Sequence, residues 1–181
     1  SHERGFLRDE SYATGSNVVQ ITPKGWSYLE GAGATSESDT AFVAMSFDPS
    51  LALVYRAAIH RGIEDAGYLP IRADDHRHEN LIDAEIHALI RRSRFVVADF
   101  TLQSNGVYYE AGFARGLGLR VFRLCRKADA KKVHFDQNHY HVLRWQPKYL
   151  AVLRRELQLR IEAEIGRGPR PIPRANGAHS G

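Results

Sequence analysis

The sequence predicts an α/β domain in which a parallel sheet of about five strands is flanked by helices. Short apolar runs of strand length alternate with longer segments whose apolar residues recur every three or four positions. One run, residues 94–100 (RFVVADF), is almost continuously apolar, as expected for a strand that is buried on both faces. This alternation is typical of chains that fold helices over a parallel sheet.

Composition limits the classes of protein to which the chain can belong. Its 181 residues, 43% of them hydrophobic, suffice for one ordinary domain with a substantial core and short appendages. No apolar run approaches the roughly 20 residues that cross a bilayer, and no secretory signal opens the chain, so a cytoplasmic protein without membrane contact is predicted. The single cysteine, Cys125, excludes an intrachain disulfide and a multi-cysteine zinc site. The net charge of +4 suits a phosphate-bearing ligand and, equally, an ordinary solvated surface.

Residues 1–40 differ in character from the rest of the chain. They predict a strand, a polar turn, a second strand and a short helix, with Thr22 as the helix cap and Pro23 in its first turn. This order resembles the wing and last helix of a winged-helix domain, which would make the chain a fragment of a longer protein. A local hairpin on the main domain is an equal alternative. Residues 31–39 (GAGATSESD) have the composition of a linker.

The regular α/β pattern begins at residue 41. Residues 41–45 (AFVAM) form a short apolar strand, after which Asp48 is placed to cap a helix and Pro49 to open it. Gly67 ends that helix, and residues 68–73 (YLPIRA) form the second strand. The apolar side of the helix, with residues spaced by three and four positions, comprises Leu51, Val54, Tyr55, Ala58, Gly62 and Ile63.

The middle of the chain repeats this alternation. A polar loop, residues 74–80, leads into a helix predicted over residues 81–93, and residues 94–100 form the third strand. The helix that carries Glu110 follows, and residues 119–125 (LRVFRLC) form the fourth strand. The apolar face of the helix over residues 81–93 comprises Ile82, Ile86, Leu89 and Ile90.

The last part of the chain predicts a short fifth strand, a helix and a tail. Residues 140–145 (YHVLRW) are the candidate strand, and an amphipathic helix follows over residues 146–165. The Pro- and Gly-rich residues 166–181 have few groups to bury and are predicted to be a disordered tail. The predicted organisation is therefore an N-terminal unit over residues 1–40, an α/β domain over residues 41–165 and this tail.

Polar groups follow the carboxyl ends of three predicted strands. Residues 45–48 leave the first strand, the acidic loop 74–80 leaves the second, and Asp99 stands at the end of the third. In open α/β sheets, ligands bind beyond the carboxyl ends of the strands, where the strand order reverses. These three segments are therefore expected to border one cleft.

Glu110 has two interpretations. Near a helix start, a carboxylate gains about 0.3–1 kcal/mol from the helix dipole, so a residue that only helps folding is the simpler one. The other is a nucleophile that attacks an anomeric carbon and forms a covalent glycosyl intermediate, which for retention needs an acid–base group about 5 Å away. Asp99 is a candidate for orientation of the sugar or nucleophile or for acid–base work, although a strand-end Asp more often only ties down the following loop. Tyr109 is a candidate to position Glu110.

Other familiar sites are not indicated. The chain contains no G-x-G-x-x-G, Walker or H-E-x-x-H motif, so neither a metal ion nor a cofactor is predicted despite nine histidines. Gly112 and Gly116 predict close contact between helix and sheet, and Gly118 predicts a helix end.

Four blocks of sequence together resemble a known family. They are AFVAMSFD, HENLIDAEIHALIRRSRFVVADFT, NGVYYEAGFARGLGLRVFRLC and HFDQNHYHVLRW, within residues 41–145. They resemble the nucleoside 2-deoxyribosyltransferase-like superfamily, and more closely its bacterial TIR-like branch in multidomain proteins. The resemblance implies a flavodoxin-like sheet, a homodimer and a glutamate that cleaves the N-glycosidic bond of a nucleoside or nucleotide.

By motif match, the resemblance makes Glu110 the nucleophile. Asp99 and Tyr109 complete the candidate catalytic group. The base or phosphate is expected near the exit of the first strand, with Arg72 and Arg77 suited to phosphate. The candidate substrate-binding residues are Ala44, Met45, Ser46, Phe47, Asp48, His78, Asn105 and Gly112.

The chain also departs from the family pattern. The classical transferases carry an acid six residues before the nucleophile, where this chain has Ser104. Hydrolysis is therefore easier to defend than transfer between bases. The alternative is a nucleotide-sensing or TIR-like signalling module of a regulatory or defence protein, in which Glu110 holds ribose hydroxyls without chemistry. Nucleic acid would be contacted only through residues 1–40.

Overall fold

The computed structural model describes residues 7–11, 17–21, 37–73, 83–133 and 141–171. The first two segments form an antiparallel pair, β1 (Leu7–Ser11) and β2 (Asn17–Ile21), with Leu7 opposite Ile21. The two strands predicted for the N-terminal unit are therefore present, and the residues between them lie outside the described ones. The short helix predicted after it lies outside the described residues, so the winged-helix interpretation stays a prediction.

The main unit is built on a sheet of five strands that are all parallel. In space the strands are ordered β4-β3-β5-β6-β7. Between β4 and β5 the chain therefore crosses back over β3, the first strand of this sheet. This is the flavodoxin-like order, in which ligands bind where the order reverses. The predicted α/β fold class is confirmed. The strands are β3 (Thr40–Ala44), β4 (Leu69–Ile71), β5 (Phe95–Asp99), β6 (Arg120–Arg126) and β7 (Val142–Trp145).

Two helices cover each face of the sheet. The first, α1, spans residues 49–65, and the others are α2 (Asp83–Arg92), α3 (Asn105–Gly116) and α4 (Leu150–Glu164). Successive strand residues alternate between two cores: Val43 and Val97 pack with α1 and α4, whereas Ala44 and Ala98 pack with α2 and α3. No helix among the described residues has both the length and the apolar character that would let it cross a membrane.

Helix α1 begins as the sequence predicts. The Asp48 carboxylate accepts a hydrogen bond of 2.8 Å from the Ser50 backbone N–H, and Pro49 occupies the first turn. The helix widens to a π-helical segment at Tyr55–His60 before it returns to α geometry at Arg61–Asp65. Apolar spacing of three and four residues does not predict such a widening, and Ile59 within it is buried although it is not on the predicted apolar side.

Gly62 brings α1 and α4 into close contact. A Cβ added to Gly62 would lie 2.9 Å from the backbone oxygen of Arg154, so a larger residue would push the helices apart. The Arg154 guanidinium also donates two hydrogen bonds, of 2.5 and 2.8 Å, to Asp65. The α1–α4 layer is therefore fixed by a close backbone approach and by a bidentate ion pair.

The prediction of close helix–sheet contact at two glycines of α3 is wrong. A Cβ added to Gly112 or Gly116 would meet no atom within 4 Å, and both residues are exposed. Both stand on the solvent side of α3, whereas Ala111 and Ala114 face the sheet. Gly118, with φ of +78°, does end the helix as predicted.

Residues 166–171, which the sequence assigns to a disordered tail, run back along the end of α1, and we call them the C-terminal strap. The Gly168 N–H donates to the Ala66 carbonyl at 2.8 Å, and the Arg170 N–H donates to that of Gly67 at 3.1 Å. The Arg170 guanidinium lies 2.7 Å from the Asp39 carboxylate. The strap therefore lies against the amino edge of the sheet, and residues 172–181 are outside the described residues.

Replacing Gly67 by alanine is expected to destabilise the fold by about 2–4 kcal/mol. Gly67 has φ of +86°, and an added Cβ would lie 2.5 Å from the Gly168 oxygen, so alanine meets both backbone strain and a clash. The control is Gly118→Ala, because Gly118 has φ of +78° but nothing within 4 Å. That variant should lose only about 1 kcal/mol. The free energy of unfolding in urea measures the loss in each variant. Equal losses would show that the C-terminal strap moves aside without cost when a Cβ is added to Gly67.

Candidate functional site

The exit of β3 lies beside the point where the strand order reverses. Ala44 and Met45 are buried in the two cores, so they hold the strand rather than face a ligand. Ser46, Phe47 and Asp48 form the rim that follows them. Phe47 is 48% exposed, which is unusual for a phenyl ring.

Asp48 is occupied as a helix cap. The hydrogen bond from Ser50, together with the positive charge of Arg126, holds the pKa of the Asp48 carboxyl below its usual value. Arg126 stands at the end of β6, so its charge reaches across the carboxyl edge of the sheet to β3. Asp48 therefore contributes a lasting negative charge at the rim.

A cation stands next to the exposed Phe47. The Arg72 guanidinium carbon lies 3.9 Å from the Tyr55 ring centroid and 5.7 Å from that of Phe47. These distances are in the range of cation–π contacts, which fix the orientation of the guanidinium. The exits of β3 and β4 thus share an aromatic face and a positive charge.

Asp99 is buried at the end of β5, with 2% of its surface exposed. One carboxylate oxygen accepts the Thr101 backbone N–H at 2.9 Å, and the other accepts the Trp145 indole N–H at 2.7 Å. Burial raises the pKa of the Asp99 carboxyl, and the two hydrogen bonds oppose that rise. Both oxygens are thus engaged in tying the loop after β5 to the end of β7.

Glu110 is the sixth residue of α3 and is half-buried. Burial raises the pKa of its carboxyl to about 7, and no hydrogen bond or ion pair to it is found among the described residues. A half-buried carboxylate without a partner is unfavourable for folding. Glutamates whose pKa lies near 7 are characteristic of catalytic and binding sites.

The neighbours of Glu110 on α3 define its surroundings. Residues three and four positions away share its side of the helix, and these are Gly106, Val107, Phe113 and Ala114. Val107 and Ala114 are buried against the sheet, and the Phe113 ring lies 4.3 Å from that of His87 on α2. Glu110 therefore faces the seam between α3, the sheet and α2.

Tyr109 lies on the exposed side of the contact between α3 and α2. It is 58% exposed, and its hydroxyl forms a 2.9 Å hydrogen bond with His87 Nε2. Tyr108 turns to the other side, where its hydroxyl donates to Gln103 at 2.9 Å. The described contacts of Tyr109 therefore connect α3 to α2, and none of them joins it to Glu110.

The remaining predicted site residues on α3 are both exposed. Asn105 is exposed at the first position of α3, and Gly112 is exposed on its solvent side. His78 and Arg77 lie outside the described residues. The described residues hold no group of three or more His, Cys, Asp or Glu side chains able to bind a metal ion.

A cationic cavity lies at the exits of β6 and β7. Its volume is about 650 Å³, and a second cavity of about 320 Å³ adjoins it through Lys127 and Gln146. No carboxylate of the described segments lines the larger cavity, although Asp129 pairs with Arg126 at 2.6 Å from outside it. This excess of positive charge suits an anionic group. The larger cavity is lined by Arg126, Lys127, Ala128, Gln146, Pro147 and Lys148.

No role in the site was predicted from the sequence for Trp145, Arg126 or Gly106. Trp145 reaches Asp99 across 46 positions of sequence, a pairing that no local pattern predicts.

Comparison of the chain with protein-family models gives no match, and comparison with curated proteins gives none either.

Proposed function

We propose that this protein cleaves the N-glycosidic bond of a nucleoside or nucleotide, with Glu110 as the nucleophile. The observation that carries this proposal is the half-buried Glu110 carboxylate, which has no partner among the described residues and whose pKa is raised to about 7. Its place on the helix between β5 and β6, together with the family resemblance of the surrounding sequence, supports the same role.

The proposed reaction has two steps. The ionised Glu110 attacks the anomeric carbon, the bond from carbon to base nitrogen breaks, and its electron pair leaves with the base, which takes up a proton. Water then hydrolyses the glycosyl ester and restores the carboxyl group. If a second base attacks the glycosyl ester in place of water, the sugar is transferred from one base to the other.

The edge of the sheet offers groups for the rest of the substrate. Phe47 is exposed enough to stack on a base, and Arg72 beside it suits a phosphate. The proposed role of Asp99 is to hold the ends of β5 and β7 in place, since both of its oxygens are engaged. A homodimer in the cytoplasm is part of the proposal and rests on the resemblance.

One observation favours the alternative, a nucleotide-sensing module without turnover. Burial is the only influence on the pKa of Glu110 among the described residues, so no second carboxylate acts on it there. Asp99 is engaged elsewhere, and Ser104 stands where the classical transferases carry an acid. A site with one carboxylate would bind ribose hydroxyls and lack the acid–base partner for turnover.

Chromatography of released base separates the two functions. The protein is incubated with deoxynucleosides, nucleoside monophosphates and NAD, and free base or nicotinamide is measured over time. Release from one substrate class supports the glycosidase. If every substrate stays intact while one of them binds in calorimetry, the sensing module is correct.

The glycosidase should become faster as the pH rises through about 7. Only the ionised Glu110 is a nucleophile, and its pKa of about 7 means that about half is protonated at neutral pH. We expect kcat/KM to rise about tenfold per pH unit below pH 6 and to level off above pH 8. A profile that falls with pH over this range would instead make Glu110 the general acid.

A further inference from the structure

Gly106 is a glycine that neither the backbone nor the packing of α3 requires. It is the second residue of the helix and is exposed, and its φ is not positive. Among the described residues outside α3 itself, a Cβ added there would meet only the Ser104 hydroxyl within 4 Å, at 3.7 Å. Glycine is the least favourable residue for a helix after proline, so its presence here is not explained by folding.

Gly106 is one helical turn before Glu110 on the same side of α3. Helical side chains lean toward the helix N-terminus, so the Glu110 carboxylate is directed toward the turn that carries Gly106 and Val107. Val107, 3% exposed, closes the side toward the sheet. Phe113, with its ring against His87, closes the side one turn beyond Glu110.

We propose that the missing side chain at Gly106 forms the gap through which a ligand reaches Glu110, so that position 106 limits the size of the ligand admitted. The gap itself follows from the geometry of α3, whereas its use by a nucleoside or nucleotide rests on the proposed function. A side chain at this position would stand over the Glu110 carboxylate and exclude both water and substrate. Gly106 is therefore a residue that determines access, and it takes no part in the chemistry.

Leucine at position 106, compared with leucine at position 116, tests the gap. Gly116 is the matched control, because it lies in the same helix, is exposed and has nothing within 4 Å of an added Cβ. Carbon-13 NMR of labelled glutamate follows the titration of Glu110 in each variant. We expect Gly106→Leu to raise the pKa of Glu110 by about half a unit or more through lost hydration, and Gly116→Leu to leave it unchanged.

Turnover gives the second measurement. With the substrate found in the release assay, Gly106→Ala should lower kcat/KM severalfold and Gly106→Leu by about 100-fold, whereas Gly116→Leu should stay within twofold. Both leucine variants should unfold no more easily than the wild type, because leucine favours the helix more than glycine does.

The two measurements keep the gap and the proposed function apart. A pKa shift in Gly106→Leu alone supports the gap even if no substrate is cleaved, and the failure then belongs to the glycosidase. An unchanged Glu110 pKa in Gly106→Leu, or equal shifts in both leucine variants, overturns the gap even if the wild type is active.

Discussion

Glu110→Gln is expected to lower base release by about 10³-fold or more, to the limit of detection. Glutamine keeps the shape of the side chain, but its amide cannot attack an anomeric carbon. Substrate affinity should change little, because the remaining contacts at the edge of the sheet are intact. The measurement is base release by chromatography under single-turnover conditions, with calorimetry of the same substrate for binding.

The same substitution should stabilise the protein at alkaline pH. The folded state holds a proton on Glu110 up to a pH of about 7, whereas a glutamate in the unfolded chain releases it near 4.5. The folded state therefore binds more protons between these values, and the stability of the wild type falls as the pH rises across that window. We expect Glu110→Gln to lack this loss, and thus to be more stable than the wild type at pH 8 by about 1–3 kcal/mol.

The matched control is Glu37→Gln, at an exposed residue ahead of β3 on the amino side of the sheet. It should change neither base release nor the pH dependence of stability. If Glu110→Gln releases base as fast as the wild type, Glu110 is not the nucleophile. If it binds more weakly while the wild type is also inactive, Glu110 serves the sensing module.

Asp99→Ala is expected to destabilise the protein by about 2–5 kcal/mol. It removes the acceptor of both the Thr101 N–H and the Trp145 indole N–H, and these two residues are 2% and 4% exposed. Buried donors without an acceptor lose their hydration without compensation. Chemical denaturation at neutral pH measures the loss.

A double-mutant cycle with Trp145→Phe isolates the bond between β5 and β7. Trp145→Phe removes one donor, so the double variant should be more stable than the sum of the two single losses predicts. Additive losses would show that the 2.7 Å contact contributes nothing to stability. If the Asp99→Ala protein is as stable as the wild type but releases no base, Asp99 belongs to the catalytic group.

Regular patterns in the sequence predicted most of the fold. Within the described part of residues 41–165, each predicted strand and helix is present. Asp48 and Pro49 begin α1 as expected. The spacing of apolar residues did not reveal the order of the strands in the sheet. That order depends on the pairing of β3 with both β4 and β5, whose residues are far from β3 in sequence. The flavodoxin-like order came from the family resemblance.

The site was harder to predict, because its properties depend on burial and on distant partners. The motif around Glu110 makes it the candidate nucleophile, but the raised pKa of its carboxyl follows only from burial where α3 lies on the sheet. The sequence also gave the glycines of α3 the wrong role. Composition cannot show whether a glycine faces the sheet, as was expected of Gly112, or an open flank, as Gly106 does.

The C-terminal strap has a consequence for how the α/β unit can be joined to other sequences. The Arg170–Asp39 contact of 2.7 Å and the Gly168–Ala66 hydrogen bond bring the two ends of the unit together at the amino edge, opposite the proposed site. Units whose ends are adjacent tolerate insertion into a host protein and circular permutation. A host loop can therefore carry the unit, or a short peptide can join residue 171 to residue 37, without a change at the carboxyl edge of the sheet.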